Sequence, residues 1–395
     1  MAAVSRPSPP ASAAPPTRRP ANRKALIVLA AADLFRLRGF HNVAQEEIAA
    51  AVGISGPALY RHFAGKQDLL AHAVDSGFQA MEAAMRTGDL PAVLAATCAV
   101  STQRRDIGAL WQRETRNLPT AERRRARRRL IAMVGLLTAL VRADRPELSQ
   151  ADAELLGGAV AAVLASPSHH QVDGASGQLE QSLLAACTAV AASDVAPRLA
   201  DVAPPPIGEQ PPATTRREML VTAATEMFSR RGYHEVSLSD IGAAAGIAGP
   251  SIYKHFASKP DLLFAALDRG AEALRRELAR VVAERQAPVA TLRAVVESYV
   301  GFALHHPDLV ATLVTEVINL PAEQRHTVRA AQHRYVAQWR DLVRAARPEL
   351  DALAAALRVH AALGLVNDVA RIPYLTERAD ISPILSGLAT VVLDS

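Results

Sequence analysis

The chain runs to 395 residues, half of them hydrophobic, which is more than one ordinary core accommodates and implies two or more domains. Aromatics reach only 4% and Ala is abundant, favouring helices over sheets, and a formal charge of +5 permits a nucleic-acid partner. No Walker loop, strand-following GxGxxG, GxSxG elbow or HExxH occurs, so neither enzyme chemistry nor a cofactor is expected.

Residues 1–20, "MAAVSRPSPPASAAPPTRRP", read as a disordered Pro/Ala/Ser tail without the apolar core of a signal peptide. No uninterrupted apolar run of membrane-spanning length follows, so a cytoplasmic protein with no membrane partner is expected. Cys98 and Cys187 lie in apolar helical surroundings without metal-ligand spacing and read as reduced core thiols.

A first head is expected over residues 21–66. "RKALIVLAAADLFRLRG" places Ile27, Ala30, Ala31, Leu34 and Phe35 on one helical face, and Gly39 supplies the left-handed stop before Phe40 folds back. "QEEIAAAV" predicts a short helix that buries Ile48, Ala49 and Val52; Gly53 turns the chain and Ile54 plugs the turn. "SGPALYRHF" then opens another short helix, with Ser55 at its N-cap and Pro57 in its first turn. Helix, glycine turn and helix make a helix-turn-helix. The small residues Gly56 and Ala58 let the third helix press into a major groove, with Tyr60, Arg61 and His62 set to reach flanking phosphates. "GKQDLL" starts a fourth helix whose free N–H groups and Lys66 suit a further phosphate. The plainer reading packs Tyr60 on Phe63 and leaves His62 as a packing residue; no partner ligands give it metal spacing.

A helical body follows, residues 67–193. In it, "ETRNLP" (Glu114 to Pro119) reads as a helix end, with Trp111, Glu114 and Asn117 as candidate ligand-binding residues. "ERRRARRRL" (Glu122 to Leu130) reads as a solvated helix face, or else as a grip on an anionic ligand such as a CoA ester through Arg125, Arg127 and Arg128. His169 and His170 read as loop. Residues 194–214 form a Pro-rich linker.

Beyond the linker the chain begins again. "GPALYRHFAGK" (Gly56 to Lys66) returns as "GPSIYKHFASK" (Gly249 to Lys259), and an offset of 193 holds without a gap from Lys24 to Leu70. "ETRNLP" returns as "EVINLP" (Glu316 to Pro321) and "RADRPEL" as "RAARPEL", both at an offset of 202. A second head is therefore expected over 215–259 and a second body over 260–395, with Glu316 and Asn319 as further candidate ligand residues. The second head supplies Gly249, Pro250, Ser251, Tyr253, Lys254, His255 and Lys259 at the matching places. Basic leaders, "TRRPANRK" and "TTRRE", precede both heads as candidate minor-groove arms or solvated segments.

"IAAAVGISGPALYRHFAGKQDLL" and "IGAAAGIAGPSIYKHFASKPDLL" resemble the DNA-binding signature of TetR-type transcriptional regulators. The two-copy arrangement resembles the double-TetR repressors of actinobacteria, including that of a mycobacterial mce lipid-import operon. The resemblance implies an all-α protein of two tandem TetR-like units, each a three-helix head plus a helical ligand-binding and dimerisation body. It further implies a double-stranded DNA operator and a small-molecule effector, apolar or acyl-CoA-like. In the family pattern a Ser or Thr caps the second helix and touches a phosphate. Here Ser237 keeps it, with Asp240 completing a capping box, whereas the first head has Ala44 followed by Gln45. Conversely, Ser55 faces Ala248 in the second copy. The leading expectation is a single-chain pseudo-dimer on an asymmetric operator, the final two helices of each body packing together. The alternatives are a homodimer with four heads, or a sensing module whose heads have decayed.

Overall fold

The computed structural model describes residues 23–86, 88–172, 174, 176–195, 215–247, 249–284 and 287–395, with Ser176, Gly249 and Pro250 described in backbone only. The terminal tail, most of the linker and Ala248 therefore lie outside the described residues. Helices and short 3₁₀ turns make up the secondary structure of the described residues, and the order of elements is stated twice.

The first unit comprises α1 (Arg23–Arg38), α2 (Gln45–Ala51), α3 (Gly56–Tyr60), α4 (Lys66–Ala84), α5 (Leu90–Gln103), α6 (Asp106–Gln112), α7 (Thr120–Asp144), α8 (Gln150–Ala165) and α9 (Ser176–Ala191). The second comprises α10 (Arg216–Arg231), α11 (Leu238–Ala244), α12 (Gly249–Ile252), α13 (Lys259–Ala283), α14 (Pro288–His305), α15 (Pro307–Thr315), α16 (Ala322–Ala346), α17 (Ala352–Val369), α18 (Pro373–Thr376) and α19 (Ile381–Asp394). A 3₁₀ turn follows α6 (Glu114–Asn117) and α15 (Val317–Asn319), at the repeated Glu-x-x-Asn of each copy.

The predicted stripe on α1 is rotated slightly. Ile27, Val28, Ala31, Ala32 and Phe35 are buried, while Ala30 and Leu34 are only partly so. The helix stops as expected, because Gly39 and Gly232 adopt φ of 80° and 82°, a region in which a Cβ is strained. Phe40 and Tyr233 then fold back onto Phe35 and Phe228 at ring separations of 5.5 Å in both copies.

The two bodies share one interior. α8 packs on α17, and α9 on both α17 and α19, so the last long helices of each unit form a joint bundle across the repeat. Asp152 pairs with Arg378 at 2.9 Å, Gln178 reaches Asp351, and the rings of His170 and His360 stack at 4.5 Å across this seam. His170 lies in a loop as expected, and that loop is buried in the joint between bodies. The two cysteines lie side by side as buried free thiols, 3.9 Å apart, where α5 meets α9. One helix, α17, is long and apolar enough to cross a membrane by length and composition. It carries Arg358 and Asp368 and packs against α8, α9, α16 and α19, the environment of a core helix.

Candidate nucleic-acid interface

Each head presents its third helix on a small buried platform. Ile48, Leu59 and Phe63 are buried in the first head, and Ile241, Ile252 and Phe256 in the second. Those anchors turn the intervening side chains outward. Tyr60 is 53% and Tyr253 63% exposed, far more than a buried ring in a core would be. The plainer reading of these tyrosines as core residues fails on that exposure. Ser55, Pro57, Arg61, His62 and Lys254 are exposed beside them, and Gly56, Ala58, Ser251 and His255 partly so. The exposed set is a hydroxyl, two basic side chains and an aromatic phenol in each head or its equivalent, which is the chemistry that grips phosphates and stacks on sugars or bases.

The heads differ in how they fix this surface. In the first, the Tyr60 hydroxyl donates to Gln45 Oε1 at 3.0 Å, tying α3 to the start of α2, while the Gln45 Nε2 is buried without a partner. In the second, Ser237 accepts from the Asp240 N–H at 3.1 Å and Asp240 accepts from the Ser237 N–H at 2.9 Å, the predicted capping box. Ala44 has no side-chain acceptor, and only the reciprocal half survives there, with Glu47 accepting from the Ala44 N–H at 2.8 Å. Glu47 was not singled out in the sequence, although its place three residues past the cap position was the available signal. Its carboxyl is held below its ordinary range by that backbone bond and by Arg38. Ser55 occupies the N-cap position of α3 without a capping hydrogen bond, so its hydroxyl is uncommitted. This corrects the expected cap.

Two further expectations are corrected. Lys66 and Lys259 do not face outward at the fourth helix. Lys66 lies over the Phe40 ring at 4.5 Å, and Lys259 donates to the Tyr233 and Val236 carbonyls at 2.8 Å each while lying 4.2 Å over the Tyr233 ring. Burial lowers both ammonium pKa values. These lysines lock the stop after the first helix of each head. Likewise Lys24 and Arg217, at the ends of the basic leaders, sit over Phe63 and Phe256, which ties them to the platform.

The candidate ligand residues divide in a similar way. Glu114 and Glu316 are each 2% exposed and are spent inside the protein. Glu114 accepts from the Phe40 N–H at 3.1 Å and from Asn117 at 3.0 Å, and Glu316 from the Tyr233 N–H at 3.2 Å and from Asn319 at 2.8 Å. Asn117 and Asn319 in turn meet His41 and His234 at 2.8 and 3.0 Å. The repeated Glu-x-x-Asn is therefore the joint between body and head in both copies. The joints also interlock across the repeat. Arg116 pairs with Glu316 at 2.5 Å and lies against Gly232, while Ile318 packs on Gly39 and its carbonyl accepts from Asn42.

Trp111 stands apart from the other four, which line a cleft of about 350 Å³ at the interlocked joints. It stacks on Phe78 at 4.6 Å and lines a cleft of about 430 Å³ in the first body, with Met81, Met133 and Leu137 among its walls. Of the arginine run on α7, Arg125, Arg127 and Arg128 are exposed. Arg129 instead clamps Glu82 at 2.7 and 2.8 Å and Asp75 at 2.5 Å, and lies over Phe78 at 4.7 Å.

The profile described as "Bacterial regulatory proteins, tetR family" matches residues 27–73 and again 220–266. The match covers both heads. A second profile, "Tetracyclin repressor-like, C-terminal domain", matches residues 285–371 of the second body. Among curated proteins, the chain is 37% identical over 102 residues to the HTH-type transcriptional activator FasR of Mycolicibacterium smegmatis, covering 25% of this chain and 45% of that one. It is 34% identical over 125 residues to the HTH-type transcriptional repressor KstR2 of Rhodococcus jostii, covering 31% of this chain and 61% of that one. The chain thus spans about half the length of the curated relatives it matches. A solved TetR-family regulator from Bordetella parapertussis aligns at 24% identity over 46% of this chain and 93% of its own, with a TM-score of 0.41.

Proposed function

We propose that this protein is a DNA-binding transcriptional regulator, acting in the cytoplasm as a repressor, that reads one asymmetric operator with both heads of a single chain and is released by a small apolar or lipid-like effector. The observation that carries the reading is the pair of exposed tyrosines, Tyr60 and Tyr253, on third helices whose every large apolar neighbour is buried. The single-chain form is supported by the bundle of α8, α9, α17 and α19, in which one repeat covers the surface that a second chain would otherwise supply. Unequal heads, Arg61 against Lys254 and Gln45 against Leu238, favour unequal half-sites.

The release step follows from the chain's own wiring. Trp111 in the cleft is three residues from Glu114, and Arg113 between them donates to the Phe35 and Arg36 carbonyls at 2.7 and 2.8 Å. An effector that displaces α6 moves the residues that hold the end of α1. It shifts the population off DNA only if it binds the displaced arrangement more tightly than the operator-bound one. A lipid-linked operon, of the mce type that the two-copy arrangement resembles, is the proposed setting; the names of the curated relatives include an activator as well as a repressor.

A gel shift on the DNA upstream of its own gene tests the reading. Wild-type protein should retard it, and the Tyr60→Ala and Tyr253→Ala chains should each bind it more weakly. Full retardation by the double variant would show that the tyrosine face is not the interface.

A further inference from the structure

The offset of 202 lets the two bodies be compared position by position. The first body's cleft is walled by α6, by α7 and by the ends of α4, α5 and α8. At its positions Gly108, Met133, Leu137 and Ala165 the second body has Val310, Tyr335, Trp339 and Asn367, and where the first has Thr97 the second has Tyr299. Each of these exchanges adds bulk, whereas Trp111, Ser101 and Leu164 of the cleft are matched by the smaller Leu313, Ala303 and Val366. The added groups also find one another: Tyr299 donates to Asn367 Oδ1 at 2.6 Å, its ring meets Trp339 edge-on at 5.6 Å, and Tyr335 lies 6.0 and 6.2 Å from the other two. Trp339 is 1% and Tyr299 4% exposed. A hydrogen-bonded aromatic cluster of this kind is a packed core.

In the first body the same place is open and soft. Three methionines, Met81, Met85 and Met133, line it, side chains that adapt their shape to an occupant. As it stands the cleft has room for no more than a few waters, so an effector-sized occupant must part α7 from α6. The Trp111 Nε1 is buried there without a hydrogen-bond partner. Trp339 Nε1 also lacks one, but its ring is enclosed by tyrosines, whereas Trp111 borders the cleft.

We infer that the chain binds one effector, an elongated apolar molecule bearing an acceptor oxygen, in the first body alone, and that the second body is a permanently filled structural partner. This rests on the effector-release reading above but concerns binding rather than release. The duplication would then have separated two tasks: one body senses, and the other fixes the position of the second head.

The chain contains two tryptophans, one in each body, so 12-bromododecanoic acid, whose bromine quenches indole emission at contact, serves as the probe. Calorimetric titration of the wild-type chain should give one equivalent. In the Trp339→Phe chain the remaining Trp111 emission should quench saturably, and in the Trp111→Phe chain Trp339 emission should stay unchanged, with binding weakened about three- to tenfold by loss of the indole N–H. The paired change Met133→Tyr with Leu137→Trp, which copies the second body into the first, should abolish binding. Two equivalents, quenching of Trp339, or no binding at all would overturn the inference. A chain that binds one equivalent and yet stays on its operator would refute effector release while leaving this inference standing.

Discussion

His41 and His234 stack face to face across the repeat, with ring centroids 3.8 Å apart, and each ring is held by the asparagine of its own copy's Glu-x-x-Asn turn. This is where the two heads meet, and it is built twice from equivalent residues, as an isologous contact requires. The stack tolerates no second positive charge. His234 titrates below its ordinary value because it is partly buried and because His41 faces it. The ring is therefore neutral near pH 7, and protonation on acidification opposes the stack. Operator affinity should fall on acidification, and the His41→Asn chain should lose that dependence. Gel-shift titrations at pH 7.5 and 5.5 check it, and equal pH dependence in both proteins would rule out the stack as its source.

The seam between bodies carries its own pH dependence. Burial lowers the pKa of His170 to about 2 and that of His360 to about 4. Unfolded, both rings take up protons near pH 6.5; folded, they do not until far lower. Unfolding thus binds protons in the window from 6.5 down to 4, and stability is lost as pH falls through it. A loss of about 3 kcal/mol between pH 6.5 and 5 is expected from the pair, and urea unfolding at the two pH values measures it. The His360→Phe chain should show about half that loss.

Glu316 is the most heavily used carboxylate of the head–body joints. It accepts from Tyr233 N–H, Asn319, Thr315 and Arg116. Glu316→Ala leaves Arg116 and several donors without their partner inside the protein, and should destabilise the chain by about 3 kcal/mol or more. Denaturant unfolding reads this directly, and a change under 1 kcal/mol would mean that the joint is not the anchor the geometry implies.

The heads differ in a way that substitution can equalise. Ser237→Ala removes the cap of α11 and should cost about 1 kcal/mol, while Ala44→Ser supplies the missing half of the box in the first head and should gain a comparable amount. Thermal unfolding monitored by circular dichroism should show shifts of opposite sign. Tyr60→Ala, at an exposed position, should leave stability within about 0.5 kcal/mol of wild type while weakening operator binding.

Much of this was legible in the sequence because the chain repeats. Gly39 and Gly232, Phe35 and Phe228, and Tyr60 and Tyr253 occupy matching roles, and the apolar spacing around them was enough to place three helices in each head. Lys66 and Lys259 were misread because a lysine at a helix start looks the same in sequence whether it faces solvent or a ring. The ring in question, Phe40 or Tyr233, lies some 26 residues earlier in the chain. The structural role of Glu114 and Asn117 was illegible for a related reason: their partners Phe40 and His41 belong to the head, more than 70 residues away, and the cleft they border lies at that joint. The signal existed, since both sides of that contact recur in the second copy, each with its own offset. The filled second body was equally present in the aligned residues, where Leu137 faces Trp339, but bulk becomes informative only once those positions are known to point inward.

If one chain supplies both halves of one DNA reader, the mass of the protein–DNA complex shows it. Light scattering should be performed on the protein with a short duplex from upstream of its own gene. A complex of one chain per duplex is the predicted result. Two chains per duplex at the minimal operator would contradict it, making four heads the working unit and leaving the bundle of α8, α9, α17 and α19 as only half of the assembly.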